Sequence, residues 1–542
     1  MPGRLWLAAA MLATGASLIG SAQLAGAAPE RKGGVFKFGT TGASVEVDPQ
    51  VAYITTSWWM QYATAAKLYN YTPGGKLVPE VASGFRVSNG GKRYTFTLRK
   101  GFRFSDGSAV TGRNFKYAID RSANEDLASP AAQFIIDPHG AEIVGARAVN
   151  QGNAQSVSGV QVRGNKLIIN LARPDAPFVS KLTLPFFQAT STRLPLNREV
   201  VTVRSMAGIP SAGPYAFTWN EVNRLTQLRR NPYWKPGPGR TAPRNLDGVD
   251  VLWNLNEQTA FNQVKSGELD AVNPPPSEVV DLAQQYGVNR SRFWSMPANC
   301  TGQLPLNMAN PLFRGNPRLR RAINYAVDRR AYGALAGPFA SRPWSRLLVP
   351  TVLGPRPQQP YPPGPDLVRA RTLAEGRFRT GKITVYFRSS GTVNQEQAQL
   401  VRQNLIDLGF QPDNMTMRGF SGGQIYTAMG RKGTDADIGV SMGWCSDFPD
   451  PAALVDLESG LAFSQMNLPL WRKKLDAASR LVGRARLEEY RRLDLAIMRQ
   501  VAPVAVMRTF NNRYFFSDRV DPRSLSYHSA YGDWSIPALA LK

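Results

Sequence analysis

Residues 94–121 read YTFTLRKGFRFSDGSAVTGRNFKYAIDR, a stretch that combines the signals of a strand, a turn and a helix. Apolar residues alternate with polar ones at its start, which predicts a half-buried strand: Tyr94, Phe96 and Leu98. The pair Asp106-Gly107 is typical of a hairpin turn, and Thr111 is a good helix N-cap. Apolar residues then recur on one helical face: Phe115, Ala118 and Ile119. The stretch therefore predicts a strand, a turn and an amphipathic helix in succession.

The rest of the chain repeats this mixture of strands and helices. Short strands are predicted within residues 165–174 and 382–387. Helices are predicted at three further places: after the N-cap Asn316, from Gln395 to Leu408, and twice within 468–500. This alternation favours a mixed α/β fold over an all-β fold. With 542 residues, the chain is long enough for two or three domains.

The chain is strongly basic, with 65 Lys and Arg residues against 39 Asp and Glu residues and a formal net charge of +26. Such a balance is compatible with nucleic acid, an anionic membrane or an acidic ligand. The charges are dispersed, however, and form only short clusters such as Arg329 and Arg330. We interpret them as a solvated basic surface and expect no nucleic-acid partner.

The first residues predict export from the cytoplasm. After Arg4, a stretch rich in apolar and small residues ends in Ala25-Gly26-Ala27, which fits the cleavage rule of a secretory signal peptide. Residues 1–27 are therefore expected to be removed close to Ala27. A retained membrane anchor is the alternative, but Ser17 and Gln23 dilute the apolar stretch. The mature chain is expected to be soluble and periplasmic.

The two cysteines of the chain, Cys300 and Cys445, are best explained by an oxidising compartment. There, two cysteines in an otherwise cysteine-free chain most economically form one disulfide, and two separate buried thiols are the alternative. A zinc site is not expected, because only His139 and His528 could join them as nitrogen ligands. Both histidines have polar neighbours in the sequence, and we expect them in loops or at the surface.

One motif points to an enzyme. Residues 419–423 read GFSGG and match the nucleophile elbow of serine hydrolases, with Asp447 and His528 downstream of Ser421 in the required order. The elbow needs a strand directly before it, and NMTMRG, residues 414–419, is a poor strand by composition. The segment that would form an oxyanion hole is also missing. A hydrolase is therefore the weaker hypothesis, and neither catalysis nor a cofactor is expected.

Five segments, in chain order, resemble one family. They are KLVPEVASGFRVS (76–88), the stretch 94–121, GPYAFTWNEVNRLTQLRRNPYW (213–234), PLNMANPLFRGNPRLRRAINYAVDR (305–329) and WCSDFPDP (444–451). Together they resemble family 5 extracytoplasmic solute-binding proteins, the dipeptide- and oligopeptide-binding proteins of ABC importers. One departure is Gly112-Arg113-Asn114, where the family usually has acidic residues. That departure is expected to weaken the start of the helix.

The resemblance implies a two-lobed, periplasmic-binding-protein-like α/β fold of type II, with an extra subdomain and a ligand cleft between the lobes. The first lobe would comprise residues 34–77, 205–299 and 516–542, with 78–204 as its extra subdomain, and the second lobe would be 300–515. The cysteines fall at positions that are linked by a disulfide in the oligopeptide-binding branch, so Cys300 is expected to pair with Cys445. Ligand is expected to close the lobes.

The resemblance also places the candidate binding residues. Asp447, flanked by Trp444 and Phe448, is expected to hold the ammonium group of a peptide, because a desolvated ammonium needs a carboxylate partner. An inter-lobe salt bridge or a capped turn is the structural alternative for Asp447. Four residues of the first lobe are expected to line the cleft: Thr55, Thr56, Trp58 and Trp59. Arg388, at the end of a predicted strand, is a candidate for the ligand carboxylate.

The function that follows is capture of di- or oligopeptides by a monomeric binding protein and their delivery to the permease subunits of an ABC importer. Three alternatives stay open at this point. The same fold could bind a nickel chelate, an opine or a sugar. The chain could instead be a serine hydrolase that uses Ser421, or a sensory receptor with a membrane partner.

Overall fold

The structure is a computed structural model of the chain, and it describes residues 33–137, 140–196, 210–240, 242–354, 356–376, 381–456 and 461–542. The predicted signal peptide and His139 lie outside these ranges. Within them, no helix has the length and hydropathy needed to cross a membrane.

The strands of the described residues are β1 (Val35–Gly39), β2 (Tyr69–Tyr71), β3 (Leu77–Pro79), β4 (Ala82–Ser88), β5 (Arg93–Leu98), β6 (Val160–Arg163), β7 (Lys166–Asn170), β8 (Tyr215–Glu221), β9 (Leu225–Arg230), β10 (Gly248–Leu252), β11 (Ala271–Val272), β12 (Phe293–Pro305), β13 (Ile383–Arg388), β14 (Met415–Phe420), β15 (Ile438–Val440), β16 (Met442–Cys445), β17 (Val504–Phe516), β18 (Tyr527–His528) and β19 (Asp533–Trp534).

The α-helices of the same residues are α1 (Thr55–Thr64), α2 (Gly112–Ala123), α3 (Ala146–Asn150), α4 (Phe178–Lys181), α5 (Glu257–Ser266), α6 (Val279–Tyr286), α7 (Pro317–Ala326), α8 (Arg329–Ala334), α9 (Pro350–Leu353), α10 (Leu367–Ala374), α11 (Thr392–Leu408), α12 (Gln424–Gly430), α13 (Ala452–Val455), α14 (Pro469–Ser479) and α15 (Gly483–Gln500).

An eight-stranded sheet runs through the centre of the molecule in the order β16-β12-β17-β11-β1-β10-β9-β8. Strand β1 is parallel to β10 and β11, and the other neighbours are antiparallel. Strands β1 and β8–β11 form what we call the first lobe. The 13-residue strands β12 and β17 pair along most of their length and cross from this lobe into the other half of the molecule.

A separate antiparallel sheet, in the order β4-β5-β7-β6, forms an extra subdomain together with α2. The strand and helix predicted within residues 94–121 are both present as β5 and α2, so the local signals of that stretch were sufficient. Asn114, one of the residues that depart from the family pattern, accepts a hydrogen bond from the Thr111 backbone N–H at 2.9 Å. This bond caps the N-terminus of α2 and compensates for the stabilisation that acidic residues would give there.

What we call the second lobe is built on the parallel sheet β14-β13-β15 and on helices α7, α10, α11 and α15. Its apolar core includes Ile383 and Val385 from β13, Ala398 and Val401 from α11, and Ile497 from α15. The predicted strand at 382–387 and the helices at 395–408 and 468–500 are confirmed. Helix α11 begins three residues earlier than predicted, directly after Gly391.

Candidate functional site

The candidate site begins at β16, the outermost strand of the central sheet. This short strand pairs with β12, and Cys445 stands opposite Cys300 in the ladder. A disulfide joins the two cysteines, as expected from the sequence. The bond lies where the long strands leave the first lobe, and it fixes the register of β16 two residues before Asp447.

Asp447 is a buried carboxylate, and no cation among the described residues pairs with it. Only 8% of the residue is exposed, and no ion pair to it occurs within the described ranges of the chain. The hydroxyl of Tyr53 donates to Asp447 Oδ2 at 3.0 Å. Burial raises the pKa of Asp447 to about 8, and the Tyr53 hydrogen bond opposes that rise only in part. An acid in this position is stabilised when a positive charge arrives.

Tyr53 makes the link between Asp447 and the first lobe. Its ring contacts Trp58 and Phe186, each with a centroid separation of 5.5 Å. The ring also meets the edge of Trp444 at 6.3 Å. Burial, followed by the nearby Asp447 charge, raises the pKa of Tyr53 well above its usual value, so the hydroxyl stays protonated and donates a hydrogen bond to the Asp447 side chain.

The two aromatic residues that flank Asp447 in the sequence have different surroundings. Trp444 is half-buried, and its indole N–H donates to the Ala453 carbonyl at 3.0 Å. Phe448 is 4% exposed and packs edge-on against Phe134 of the extra subdomain at 6.3 Å. Phe448 therefore extends the contact between the second lobe and the extra subdomain, whereas Trp444 stays beside Tyr53.

The predicted first-lobe residues lie at the start of α1. Thr55 is exposed and Thr56 is half-buried. Trp58 is buried and belongs to the aromatic group around Tyr53. Trp59 instead packs on Trp534 at 4.6 Å in the apolar core of the first lobe. The structure thus brings Trp58 close to the Asp447–Tyr53 pair and directs Trp59 toward the core.

Arg388 ends strand β13 and lies next to Tyr426 of α12. Its Nη2 donates to the Tyr426 hydroxyl at 3.3 Å, and its guanidinium carbon is 5.7 Å from the centre of that ring. The Arg388 Nε is buried and makes no hydrogen bond within the described part of the chain. Tyr426 in turn contacts the backbone of Gly443 in β16. Arg388 is therefore connected to the same strand that leads to Asp447.

Arg508 of β17 is a second guanidinium near this strand. It is 9% exposed, it packs over Phe510 at 4.4 Å, and no carboxylate of the described residues pairs with it. A Cβ atom added at Gly302 would lie 3.1 Å from the Arg508 Cγ, so the arginine side chain lies against β12 at Gly302. Gly302 is the residue that pairs with Gly443 of β16. Burial lowers the pKa of Arg508.

The residues of the suggested hydrolase triad are not joined to one another. Ser421 is exposed and donates to Gln424 at 2.8 Å, whereas Asp447 is bonded to Tyr53. The expectation that a poor strand precedes the motif was wrong, since β14 and α12 flank it. The strand-then-helix order of the elbow is thus present, but no hydrogen bond within the described residues links Ser421 to an acid or a histidine.

His528 was expected in a loop or at the surface, and this prediction was wrong, because it lies in β18 and is buried. It is 4% exposed, and its ring stacks on Tyr531 at 3.5 Å. Its Nε2 lies 3.2 Å from the Tyr71 carbonyl oxygen. Burial, followed by the nearby Lys67 charge, lowers the pKa of His528 to about 4, so the ring is neutral at pH 7. Polar neighbours in the sequence misled the prediction, because the Tyr531 ring covers one face of the imidazole and the distant Tyr71 carbonyl meets its Nε2.

Comparison with known proteins shows the family of the chain. The sequence profile of bacterial extracellular solute-binding proteins, family 5 (middle region), matches residues 76–460. The chain belongs to this family. The matched region includes Arg388, Tyr426 and β16 with Asp447. Tyr53 and Arg508 lie outside it.

Relatives in the family include glutathione-binding proteins. The chain is 25% identical over 367 residues to the glutathione-binding protein GsiB of Salmonella paratyphi A, and 24% identical over 368 residues to GsiB of Escherichia coli strain K12. Each match covers 67% of this chain and 66% of the relative. The matched part therefore spans about two thirds of the length of these relatives.

Solved structures of similar fold include peptide-binding proteins. The murein tripeptide binding protein MppA of Escherichia coli superposes with a TM-score of 0.75 at 20% identity, covering 94% of this chain and 99% of MppA. The clavulanic acid biosynthesis oligopeptide binding protein 2 gives a TM-score of 0.80 at 20% identity, covering 94% of this chain and 96% of that protein. These likenesses confirm the predicted two-lobed fold.

Sequence reasoning missed two residues of this site. Tyr53, the hydrogen-bond partner of Asp447, is 394 positions away in the chain. Tyr426, which follows the GFSGG motif, is bonded to Gly443 of β16, 17 positions further along the chain. No sequence signal could have paired Tyr53 with Asp447, because the contact depends on how the two lobes meet.

Proposed function

We propose that this family 5 member is an exported binding protein that captures peptides at Asp447 and delivers them to the permease of an ABC importer. The observation that carries the proposal is the buried Asp447 carboxylate, which accepts one hydrogen bond from Tyr53 and has no counter-charge in the described chain. The names of relatives and structural neighbours, which bind glutathione, a murein tripeptide and oligopeptides, support a peptide ligand.

The chemistry of the site suits a peptide amino terminus. A free ammonium group taken out of water needs an anionic partner with good hydrogen-bond geometry, and Asp447 supplies one. The adjacent edge strand β16 can pair with an extended main chain, which gives affinity with little preference for side chains. Trp444, Thr55, Thr56 and Trp58 are the proposed walls of the cleft, Phe448 and Trp59 support them from the apolar packing around it, and Arg388 is the proposed partner of the ligand carboxylate.

The remaining parts of the proposal concern the whole protein. The proposed lobe limits are residues 34–77, 205–299 and 516–542 for the first lobe, 78–204 for its subdomain and 300–515 for the second lobe. Residues 1–27 act as a cleaved signal peptide, which places a monomeric protein in the periplasm next to its importer. The basic surface serves solubility, and no nucleic acid takes part.

The test compares Ala-Ala with N-acetyl-Ala-Ala on the wild type and on Asp447→Asn by isothermal titration. Removing one partner of a buried charge pair costs about 3–5 kcal/mol, or roughly a hundredfold to a few thousandfold in Kd. We expect either change alone to weaken binding by that order. Both changes together should cost little more than one, because they remove the same interaction.

A matched control is Asp437→Asn. Asp437 is another buried carboxylate of the second lobe, and it accepts from the Thr384 N–H at 2.9 Å and from Asn310 at 3.2 Å. This variant should keep the wild-type preference for the free amine. Equal binding of free and acetylated peptide by the wild type would refute the role of Asp447 and favour a non-peptide solute for the same fold.

A further inference from the structure

The open edge of β16 exposes its backbone groups at alternate residues. The Ser446 N–H donates to the Asn299 carbonyl of β12 at 2.7 Å. Every second residue of the strand therefore turns its backbone N–H and C=O groups toward β12, as Ser446 does. The intervening residues, Gly443 and Cys445, therefore turn their N–H and C=O groups away from the sheet. An extended ligand that adds a strand to this edge would pair with these two residues.

The outward groups of Gly443 are both occupied by one side chain. The Tyr426 hydroxyl accepts from the Gly443 N–H at 3.1 Å and donates to the Gly443 carbonyl at 3.2 Å. It also accepts from Arg388 Nη2 at 3.3 Å, which completes the hydrogen-bonding capacity of a phenol. The Tyr426 ring is held from behind by Phe463, with centroids 5.3 Å apart. Tyr426 thus closes the strand edge at Gly443.

The outward groups of Cys445 are not closed in this way. Within the described ranges, no hydrogen bond to the Cys445 backbone occurs on the side facing away from β12. Asp447 follows two residues later, so the free part of the edge lies between the carboxylate and Tyr426. One step from an outward residue to the next is about 7 Å along a strand, which corresponds to two residues of a paired ligand.

We propose that Tyr426 is a length stop that restricts the ligand to a zwitterionic peptide of two or three residues. This inference rests on the proposed function, since it assumes that the ligand amino terminus is at Asp447. A ligand that starts there pairs with Cys445 and meets the Tyr426 ring where its third or fourth residue would pair with Gly443. Arg388, which holds the Tyr426 hydroxyl and has a buried Nε with no partner among the described residues, then faces the terminal carboxylate.

The experiment measures Kd for di-, tri-, tetra- and penta-alanine with the wild type, Tyr426→Ala and Tyr426→Leu. The wild type should bind the two shorter peptides at least about tenfold more tightly than the two longer ones, because a longer chain must displace the Tyr426 hydrogen bonds. Either variant should reduce this ratio to about threefold or less. Tyr426→Leu keeps apolar packing on Phe463 and serves if Tyr426→Ala does not melt cooperatively.

Tyr386→Phe is the matched control. The Tyr386 hydroxyl belongs to the same lobe, but it bonds to Asp435 and Arg418 and does not reach β16. This variant should keep the wild-type length profile. Equal affinity of the wild type for all four peptides, or an unchanged profile in both Tyr426 variants, overturns the length stop while leaving amine recognition intact. Absence of binding for every peptide would instead refute the proposed function, and the length stop with it.

Discussion

Replacing Asp447 with Asn should stabilise the protein in the absence of peptide, and the gain should grow with pH. Burial raises the pKa of this acid from its ordinary 3.8 to about 8. Between these two values the folded state holds a proton that the unfolded chain has released, so folding stability falls as pH rises through this window. The Asn side chain of the variant carries no ionisable proton and avoids this loss, while its amide oxygen can still accept from Tyr53.

The size of the effect follows from the same shift. Each pKa unit corresponds to about 1.4 kcal/mol, which sets a ceiling on the order of 5 kcal/mol at pH 8. Relaxation of the lobes around the carboxylate reduces this ceiling, and we expect about 2 kcal/mol of added stability at pH 8. At pH 5 the same pair of proteins should differ by less than about 1 kcal/mol, because little of the window has been crossed.

The assay is urea unfolding of both proteins without peptide at pH 5, 6, 7 and 8. A buried acid that serves binding costs stability, so the variant should gain stability while it loses peptide affinity. A variant that is equally stable or less stable at pH 8, with a difference independent of pH, would refute the reasoning. Asp447 would then be a structural acid with a partner of its own.

Three further predictions concern the whole molecule. Reducing the Cys300–Cys445 disulfide, which closes a loop of 145 positions, should destabilise the protein by up to about 5 kcal/mol in the chain-entropy model; unfolding of native protein with and without reductant measures this, and an unchanged midpoint would contradict it. Peptide should close the lobes, because a molecule bound in the cleft contacts both of them, and small-angle scattering at saturation should show a smaller radius of gyration; an identical radius with and without peptide would argue for a rigid cleft. The exported protein should begin within a few residues of Ala28, as read by N-terminal sequencing; recovery of the full-length chain in the membrane fraction would favour an anchor.

The sequence predicted those features of the fold that depend on neighbouring residues. The alternation at Tyr94 to Leu98 and the cap at Thr111 gave β5 and α2, and the pattern after Asn316 gave α7. These signals are local, because strand period and helix capping involve residues a few positions apart. The strand β14 was missed because its residues, Met415–Phe420, contain few of the β-branched side chains that indicate a strand. Its strand conformation comes from pairing with the parallel neighbour β13, which the local sequence does not show.

The candidate site was predictable only in part. Asp447 and the disulfide partner Cys445 followed from the resemblance of one short segment to the family. The surroundings of Asp447 could not be predicted in this way, because Tyr53 and Phe134 come from parts of the chain hundreds of positions away. The burial of His528 was missed because its contact with the Tyr71 carbonyl oxygen spans 457 positions and forms only after the C-terminal segment has packed against the first lobe.

The most direct test of the central claim is a crystal structure of the protein with bound Ala-Ala. The peptide amino nitrogen should lie about 2.7–2.9 Å from a carboxylate oxygen of Asp447, and the main chain of the ligand should pair with Cys445. A ligand whose amino group lies elsewhere, with Asp447 bonded to Tyr53 alone, would contradict it.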